Sequence, residues 1–403
     1  LFVIFQVVFS WATYPMDLID GLFVDIQMFV AQTLPKGLLN DLVVNGILAG
    51  LGGILIFVPQ IAFLFAFIAF LEDTGYMARV SFITDKLLRN VGLNGRSIIP
   101  LLSGAACAVP AIMSTRTISS WKERIITILV TPLMSCSARL PVYTLIIALI
   151  IPAEDYFGFN LQGIVMMSFY MIGFISAILV ALLLKYIIKS KEYSYYIMEM
   201  PSYKIPDWKT VGYTIYEKVK IFLFDAGKII IAVSIVLWFM SSFSPGDNFE
   251  KIEQKWKGHE NAEFNINADK LEASYAGIIG KMIEPAIKPL GFDWKIGISL
   301  ITSFAAREVF VGTMSTIYSV GDSNVKSIQT RLSELKNPDT GEAFFTPAVG
   351  ISLMLFYAFA MQCMTTIVIV YRETNHWKWP FIQFIYMGFL AYVSSLIAYQ
   401  LLS

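Results

Sequence analysis

Charged residues and histidines are scarce in this chain. Only 15% of the 403 residues are charged and 56% are hydrophobic, whereas soluble domains carry about 25% charged residues. The formal net charge is zero, and no basic tract rich enough to bind phosphates occurs, which argues against a nucleic-acid partner. The two histidines are His259, in a charged loop, and His376, beside tryptophans. Their placement argues against a metal site built from imidazoles.

Signatures of nucleotide binding and catalysis are also lacking. No G-x-x-x-x-G-K-[ST] motif occurs, so this chain binds no nucleotide through a P-loop. Ser135, Cys136 and Cys363 are conceivable nucleophiles, but no histidine lies at a comparable depth to activate one. Together with Cys107, the cysteines form an odd, dispersed set, which is a poor disulfide framework. We therefore expect a transporter core and not a membrane-embedded enzyme.

Long apolar runs dominate the sequence instead. Each reaches or exceeds the roughly 20 residues that a helix needs to cross a bilayer: Val43–Leu71, Ile125–Ile151, Gly163–Tyr186, Ile221–Phe243, Ala348–Val370 and Phe381–Leu402. An apolar run from Leu1 to about Tyr14 has neither a charged leader nor a cleavage site, so we interpret it as a transmembrane helix entered part-way. The fold class predicted is all-α, a polytopic helical membrane protein with one permease domain over 1–403.

Lysines and arginines are distributed unevenly between the runs. Residues 185–220 contain seven lysines and four acidic residues, and residues 79–96 are similarly basic, whereas 152–160 has acidic residues only. The positive-inside rule places the two basic segments in the cytoplasm, 185–220 as a basic linker, and 152–160 outside. Two inserts of mixed charge, 244–273 and 321–346, are predicted to be surface loops.

An internal similarity suggests a repeat. VGLNGRSIIPLLSGAACAV, within 91–120, resembles LGFDWKIGISLITSFAAREV, within 290–320, with Gly92 aligned to Gly291. Chance similarity between apolar segments is the alternative. A true repeat is typical of transporters built from two related halves, which bind their substrate near the midplane of the membrane.

Small residues and a proline interrupt the first copy. Proline suits the first turn of a helix, so Pro110 is predicted to start a half-helix, with Cys107 in the unwound linker before it. Unwound backbone at membrane depth is tolerated where it lines a cavity, and its carbonyls and the thiol would be cation ligands. Met113 adds a thioether one turn onward. The alternatives are a proline kink packed for close helix approach and a cysteine that is a small core residue.

A second interruption, 131–141, lies in the middle of an apolar run. It contains two prolines, three hydroxyls, Cys136 and Arg139. An arginine at this depth costs about 2.5–3.5 kcal/mol and normally faces a cavity or a partner. We interpret Ser135 and Cys136 as part of an ion path and Arg139 as a gate or counter-charge, because a proline kink alone would not require the arginine.

Two later segments also place polar groups at membrane depth. In the second copy Glu308 is a candidate cation ligand or gate and Arg307 a candidate gate or counter-charge, with a structural ion pair as the alternative. Further along, Gln362, Cys363 and Met364 offer amide, thiol and thioether ligands in mid-run. A methionine alone is more often core packing.

The ligand types favour a particular ion. Glu72 and Asp73 end the first long run as a carboxylate pair and are candidates for the mouth of the ion path, with a solvated helix end as the alternative. Thiolate, carboxylate, amide and carbonyl groups together suit Fe²⁺ better than Mg²⁺ or Ca²⁺.

Four motifs carry a family resemblance. They are GYMARVSFITDKLLRNVGLNGRSIIPLLSGAACAVPAIMSTRT, ILVTPLMSCSARLPVY, FAAREVFVGTMSTIY and YAFAMQCMTTIVIVYRETNHWKWP. In order and spacing they resemble the membrane region of FeoB ferrous-iron transporters, from about Tyr14 to Gln400. The two copies look like that family's paired Gate segments, and the family's proposed path cysteines match Cys107, Cys136 and Cys363. One departure is Ala108, where many relatives carry asparagine.

The resemblance implies a function beyond what the residues establish. It implies Fe²⁺ uptake across the bacterial inner (plasma) membrane into the cytoplasm, regulated by an amino-terminal GTPase domain that this chain lacks and that binds GTP and Mg²⁺. Implied partners are the lipid bilayer, that GTPase domain, a small soluble FeoA-like protein and, as an open question, further copies of the chain in a homo-oligomer. Two alternatives stay open: a nucleoside-transporter-like solute permease, and a carrier of Mn²⁺ or Zn²⁺.

Overall fold

The computed structural model describes most of the chain. The described residues are 2–35, 37–56, 58–152, 155–156, 159–188, 203–245, 249, 252, 262–304, 307, 309–317 and 345–403. They fold as two compact units. The first unit contains Leu1–Ser137, Phe174–Ile235 and Met364–Phe381, and the second contains Ala138–Gly173, Val236–Cys363 and Ile382–Ser403.

Helices make up nearly all of the described chain. Up to residue 130 they are α1 (Phe2–Thr33), α2 (Leu38–Asp41), α3 (Ala49–Leu55), α4 (Val58–Asp73), α5 (Tyr76–Asn90), α6 (Ile98–Gly104), α7 (Ala108–Ser114) and α8 (Trp121–Val130). They continue as α9 (Leu140–Ile150), α10 (Leu161–Ile187), α11 (Trp208–Ile221), α12 (Gly227–Ser242), α13 (Ala262–Ala273), α14 (Tyr275–Ile287), α15 (Trp294–Thr302), α16 (Val309–Ile317), α17 (Pro347–Phe359), α18 (Met364–Thr374) and α19 (Lys378–Leu402).

Short elements join several of these helices. The π-helical turns are Leu42–Leu48 and Phe222–Ala226, and the 3₁₀ turns are Gly95–Ser97, Thr115–Thr117, Thr131–Leu133, Ser137–Arg139 and Lys288–Leu290. A two-residue antiparallel pair, β1 (Asp155–Tyr156) and β2 (Phe159–Asn160), lies between α9 and α10.

Among the described residues, five helical stretches are long and apolar enough to span a membrane. They are Leu38–Asp73, Trp121–Ile150, Leu161–Ile187, Pro347–Thr374 and Lys378–Leu402. They coincide with five of the six predicted runs, which confirms the fold class. The sixth run, Ile221–Phe243, forms the end of α11, a π-helical turn and α12, and its described apolar helix is the shorter Ile230–Ser242.

Two of the five stretches are interrupted in the middle, and the sequence predicted the first of these interruptions. Trp121–Ile150 breaks between α8 and α9, where Pro132 and Pro141 occupy the first turns of a 3₁₀ element and of α9. Proline removes a backbone donor and fits only the start of a helix. Pro347–Thr374 breaks at 360–363, between α17 and α18.

The two similar sequence segments share a local pattern. In each, a glycine adopts a left-handed backbone, with φ of 83° at Gly92 and 82° at Gly291. Two residues later an N-cap follows: the Asn94 side chain accepts from the backbone N–H of Arg96, and the Asp293 side chain from that of Ile296. A helix, a break and a second helix come next in both segments. The repeat bounds 91–120 and 290–320 stay a prediction.

Parts of the predicted loops are helical where they are described. Within 244–273, α13 forms because Leu271 packs beside the buried Ala276 and Ile298 in the second unit. Within 185–220, α11 is capped by Asp207 and packs along α4, with the rings of Phe70 and Trp208 6.2 Å apart. Apart from its last two residues, the 321–346 loop lies outside the described residues.

Candidate functional site

The first break places Cys107 in extended backbone. Cys107 has φ −153° and ψ 132° and is the N-cap of α7. The backbone N–H groups of Ala106 and Cys107 both donate to the carbonyl of Ser103, at 3.0 Å each, which closes the end of α6. Because α7 starts at Ala108, Pro110 lies in its first turn. The Cys107 side chain is half-buried.

The second break is hydrogen-bonded to the first within the same unit. Ser137 donates to the carbonyl of Ala106 twice, through its backbone N at 3.4 Å and through Oγ at 3.0 Å. Cys107 directly follows the accepting residue, and Cys136 directly precedes the donor. The structure therefore brings the two thiol-bearing segments together.

Close packing supports this junction. A Cβ at Gly104 would lie 3.0 Å from Thr131 Cγ2 and 3.5 Å from Met134 Cβ. Since 3.0 Å is tighter than ordinary van der Waals contact, the end of α6 needs a glycine here. Ser137 is not among the predicted site residues, although a hydroxyl directly after a mid-membrane cysteine is a usable signal for a backbone-capping role.

The junction also limits which carbonyls are available to an ion. A carbonyl oxygen has two lone pairs, and two Ser137 donors already occupy that of Ala106. The carbonyl of Ala106 is therefore not one of the linker's free oxygen ligands for a cation. The half-buried thiols of Cys107 and Cys136 are the soft groups at this junction, and neither cysteine forms a disulfide.

Other predicted residues around these breaks are buried. Met113, in α7, is 8% exposed, and Ser135 is 2% exposed. Arg139 is fully buried and is the N-cap residue of α9, in the second unit. Burying a guanidinium carries a substantial desolvation cost, and the role of Arg139 as a gate or counter-charge stays a prediction.

The third break, in the second unit, is closed by an arginine. Arg307 is 6% exposed, and its Nε donates to the main-chain carbonyl of Gln362 at 3.2 Å. Cys363 follows and is half-buried. The side-chain amide of Gln362 is 2% exposed, and neither its oxygen nor its nitrogen has a hydrogen-bond partner among the described residues.

The remaining predicted residues differ in what the structure says of them. Glu308 lies outside the described residues. Met364 is the first residue of α18 and is 38% exposed. Asp73 pairs with Lys204 Nζ at 2.6 Å and accepts the backbone N–H of Asp207 at 2.7 Å, so its carboxylate anchors the segment before α11. Glu72 beside it is exposed.

The Asp207 carboxylate is held in its charged form. Thr210 Oγ1 donates to it at 2.8 Å and the backbone N–H of Lys209 at 3.2 Å, and these hydrogen bonds lower the pKa of Asp207 below its usual range.

Over the described residues, no three His, Cys, Asp or Glu side chains lie close enough together to hold a metal ion.

Comparison with known proteins decides the family. The Gate family profile, described as nucleoside recognition, matches residues 54–150 and 223–377. This chain belongs to the Gate family. A second profile, described as the ferrous iron transport protein B C terminus, matches residues 166–218 of this Gate-family chain. No solved structure matches it significantly.

Curated relatives of this Gate-family chain are named as iron transporters. The Fe(2+) transporter FeoB of Leptospira biflexa serovar Patoc is 45% identical over 401 residues, 99% of this chain and 56% of the relative. The Fe(2+) transport protein A/Fe(2+) transporter FeoB fusion protein of Porphyromonas gingivalis is 38% identical over 419 residues, 100% of this chain and 49% of the relative. The FeoB of Staphylococcus aureus strain MSSA476 is 35% identical over 408 residues, 100% of this chain and 56% of the relative.

The Gate-family chain thus spans about half the length of the curated relatives it matches. The resemblance to FeoB proteins predicted from the four motifs is confirmed. The relatives and the five candidate spans also confirm a multi-pass protein of the bacterial inner membrane.

Proposed function

We propose that this chain carries Fe²⁺ across the bacterial inner membrane into the cytoplasm. The observation that carries the proposal is the double hydrogen bond from Ser137 to Ala106, which holds the segments of Cys107 and Cys136 together inside a helical membrane protein. Thiolates favour Fe²⁺ over the hard ions Mg²⁺ and Ca²⁺. The names of the curated relatives support the same ion.

Two groups of residues are assigned to the ion's path. In the first unit, the thiols of Cys107 and Cys136 are the principal ligands, supplemented by Met113 and Ser135. At the third break, Cys363 and Gln362 are ligands, supplemented by Met364. Glu308, which lies outside the described residues, is a further candidate ligand. Arg139 and Arg307 act as gate or counter-charge, because a buried fixed cation opposes the presence of Fe²⁺ until it is displaced or compensated. Glu72 and Asp73 are the candidates for the mouth of the path.

Regulation and partners are part of the same proposal. We assign GTP and Mg²⁺ binding, and GTP hydrolysis, to a separate GTPase domain, so that this chain catalyses no reaction of its own. A small FeoA-like protein is a partner, which the relative named as a protein A/FeoB fusion supports. The lipid bilayer surrounds the chain, and whether the chain forms a homo-oligomer is to be tested. The zero net charge argues against a nucleic-acid partner.

The test is anaerobic uptake of labelled Fe²⁺ by cells that lack other iron importers. The whole protein is compared with Cys107→Ser, Cys136→Ser, Cys363→Ser and Glu308→Ala, with Thr144→Ser, an equally small exchange at an exposed position of α9, as the matched control. We expect uptake to fall by about tenfold or more in the cysteine variants, since losing one metal ligand costs at least ~1.4 kcal/mol. Wild-type uptake in all four variants would refute the path.

A second candidate function has its own support. The Gate profile is described as nucleoside recognition, which favours a solute permease for a nucleoside. Labelled nucleoside, Mn²⁺ and Zn²⁺ are therefore offered to the same cells. Nucleoside uptake without iron uptake would replace the proposal, and preference for Mn²⁺ or Zn²⁺ would keep the path and change the ion.

A further inference from the structure

A buried carboxylate outside the proposed path joins three elements of the first unit. Glu373 lies near the end of α18, and its side chain is 2% exposed. Arg116 Nε donates to both carboxylate oxygens, at 2.9 and 3.0 Å, and Arg116 Nη2 to Oε1 at 2.5 Å. Arg124 Nη2 donates to Oε2 at 2.7 Å. Three N–H groups from two arginines thus reach the carboxylate, and the one on Arg116 Nε is shared between its two oxygens. Glu373 is engaged by two cations, so we do not assign it as a ligand for a passing ion.

The elements that meet at Glu373 are those attached to the thiol-bearing breaks. Arg116 lies in the 3₁₀ turn Thr115–Thr117, which continues α7, and α7 starts directly after Cys107. Arg124 lies in α8, which leads into the break that contains Cys136. Glu373 lies in α18, which starts directly after Cys363.

Short helices connect Glu373 and its two arginines to the breaks. The eleven residues of α18 span about 16 Å at 1.5 Å per residue, and the seven of α7 about 10 Å. The two helices pack against each other, and packed interiors transmit displacement because they have little free volume. We therefore expect a shift at Glu373 to displace the start of α7, where Cys107 is the N-cap, and the end of α8, which the 3₁₀ turn Thr131–Leu133 joins to the segment of Cys136.

The simpler interpretation is that the ion pairs of Glu373 with Arg116 and Arg124 only stabilise the fold. The energetics disfavour this interpretation. The Glu373 carboxylate is buried, but the side chains of Arg116 and Arg124 are 62% and 27% exposed. Ion pairs with solvent-exposed partners contribute about 0–1 kcal/mol to stability, so these pairs are weak support for a stability role alone. Bidentate arginine geometry supplies direction as well as attraction. An orienting role uses that direction, and a stability role does not need it.

We propose that Glu373, held by Arg116 and Arg124, is a positioning residue that fixes α7, which begins after Cys107, and α8, which leads into the break containing Cys136. It acts through α7, α8 and α18 and does not touch the ion. Only the transport part of this inference rests on the proposed function. The positioning of the thiols is a property of the protein without iron.

The experiment compares Glu373→Gln and Glu373→Asp in the whole protein. Glu272→Gln is the matched control, because it removes an exposed carboxylate paired with Lys281 at 2.9 Å. Three readouts are collected: the maleimide labelling rate of Cys107 and of Cys136, followed by peptide mass spectrometry; the melting temperature in detergent; and the maximum rate and half-saturating concentration of Fe²⁺ uptake. Labelling is done without iron.

The expected result is a change of about tenfold in the labelling rates of Cys107 and Cys136 in Glu373→Gln, which reports local opening or displacement of the breaks. Glu373→Asp keeps the charge and the fold but shortens the side chain, so we expect the same direction and a smaller change. The half-saturating Fe²⁺ concentration should rise in both variants. Glu272→Gln should match the wild type in all readouts.

Other outcomes separate the two proposals. A lower melting temperature with unchanged labelling rates in both Glu373 variants would overturn the positioning role and leave a stability role. If Glu373→Gln does not fold, the Glu373→Asp labelling rates decide alone, and wild-type rates there overturn the inference. Altered labelling in a protein that takes up no Fe²⁺ at all, even as wild type, would leave the positioning intact and refute the iron proposal.

Discussion

The break shared by Cys107 and Cys136 and the break at 360–363 are closed by different chemistry. In the first, neutral donors of Ser137 occupy the carbonyl of Ala106. In the second, the guanidinium of Arg307 occupies the carbonyl of Gln362. Each carbonyl needs a donor, because an unsatisfied backbone group at membrane depth costs several kcal/mol.

The difference assigns different tasks to the two breaks. A serine bond adds no net charge, so the first junction presents its thiols to a cation without opposing it. An arginine is permanently charged and repels a divalent cation strongly where the dielectric constant is low. Within the proposed function, the first junction is therefore suited to binding Fe²⁺ and the second to controlling its passage.

Removing the arginine should have the largest effect. In Arg307→Met the Gln362 carbonyl loses a donor from a charged group, which we expect to lower the free energy of unfolding by about 2 kcal/mol and Fe²⁺ uptake by about tenfold or more. Arg307→Lys keeps the charge without the planar geometry and is the matched variant. Melting temperature and uptake are measured together.

The two arginine variants separate charge from geometry. Uptake retained by the lysine variant and lost by the methionine variant would identify the charge as the controlling feature. Loss in both would identify the guanidinium geometry. Wild-type uptake in both variants would show that the break at 360–363 does not control transport. The proposed difference between the two breaks would then be wrong.

Removing the serine hydroxyl should have a moderate effect. Ser137→Ala leaves the backbone N–H on the Ala106 carbonyl and removes the shorter Oγ bond, at a cost of about 1 kcal/mol. Ser395→Ala is the control, because its Oγ also donates to a buried carbonyl, that of Ser352, at 2.8 Å. We expect both variants to lose similar stability, but only Ser137→Ala to lose Fe²⁺ uptake, by about fivefold. Equal uptake in the two would assign Ser137 a structural role alone.

These bonds show which features the sequence predicts and which require the structure. Hydrophobic runs predict the spans, and prolines predict the breaks beside Cys107 and Cys136, because burial in lipid and the missing proline N–H act locally. The break at 360–363 contains no proline, and the sequence does not predict it. The pairing of Ser137 with Ala106 spans 31 residues, and Arg116 with Glu373 spans 257. Such contacts depend on helix packing, which no local pattern encodes.

The charged residues also show that the sequence does not predict which partners a side chain contacts. Arg307 was predicted to be a gate from its depth alone, but its acceptor, the main-chain carbonyl of Gln362, has no sequence signature. Asp73 is a candidate for the mouth of the path, and its carboxylate also holds Lys204 and the N–H of Asp207, partners that no local pattern predicts. Partner choice, and not residue type, decides these roles.

The smallest effect on stability is expected at Gln362, where stability and Fe²⁺ uptake should change in different directions. Its buried amide has no hydrogen-bond partner among the described residues, so a desolvation cost of about 1–3 kcal/mol is left uncompensated. Gln362→Leu removes that cost at similar volume, and we expect the melting temperature to stay level or rise slightly while Fe²⁺ uptake falls. That opposition is the mark of a group kept for function, because a structural amide would lose stability when removed. Lower stability with unchanged uptake would show that Gln362 has only a structural role in the core. The matched control is Gln383→Leu, since Gln383 is another buried glutamine of the second unit.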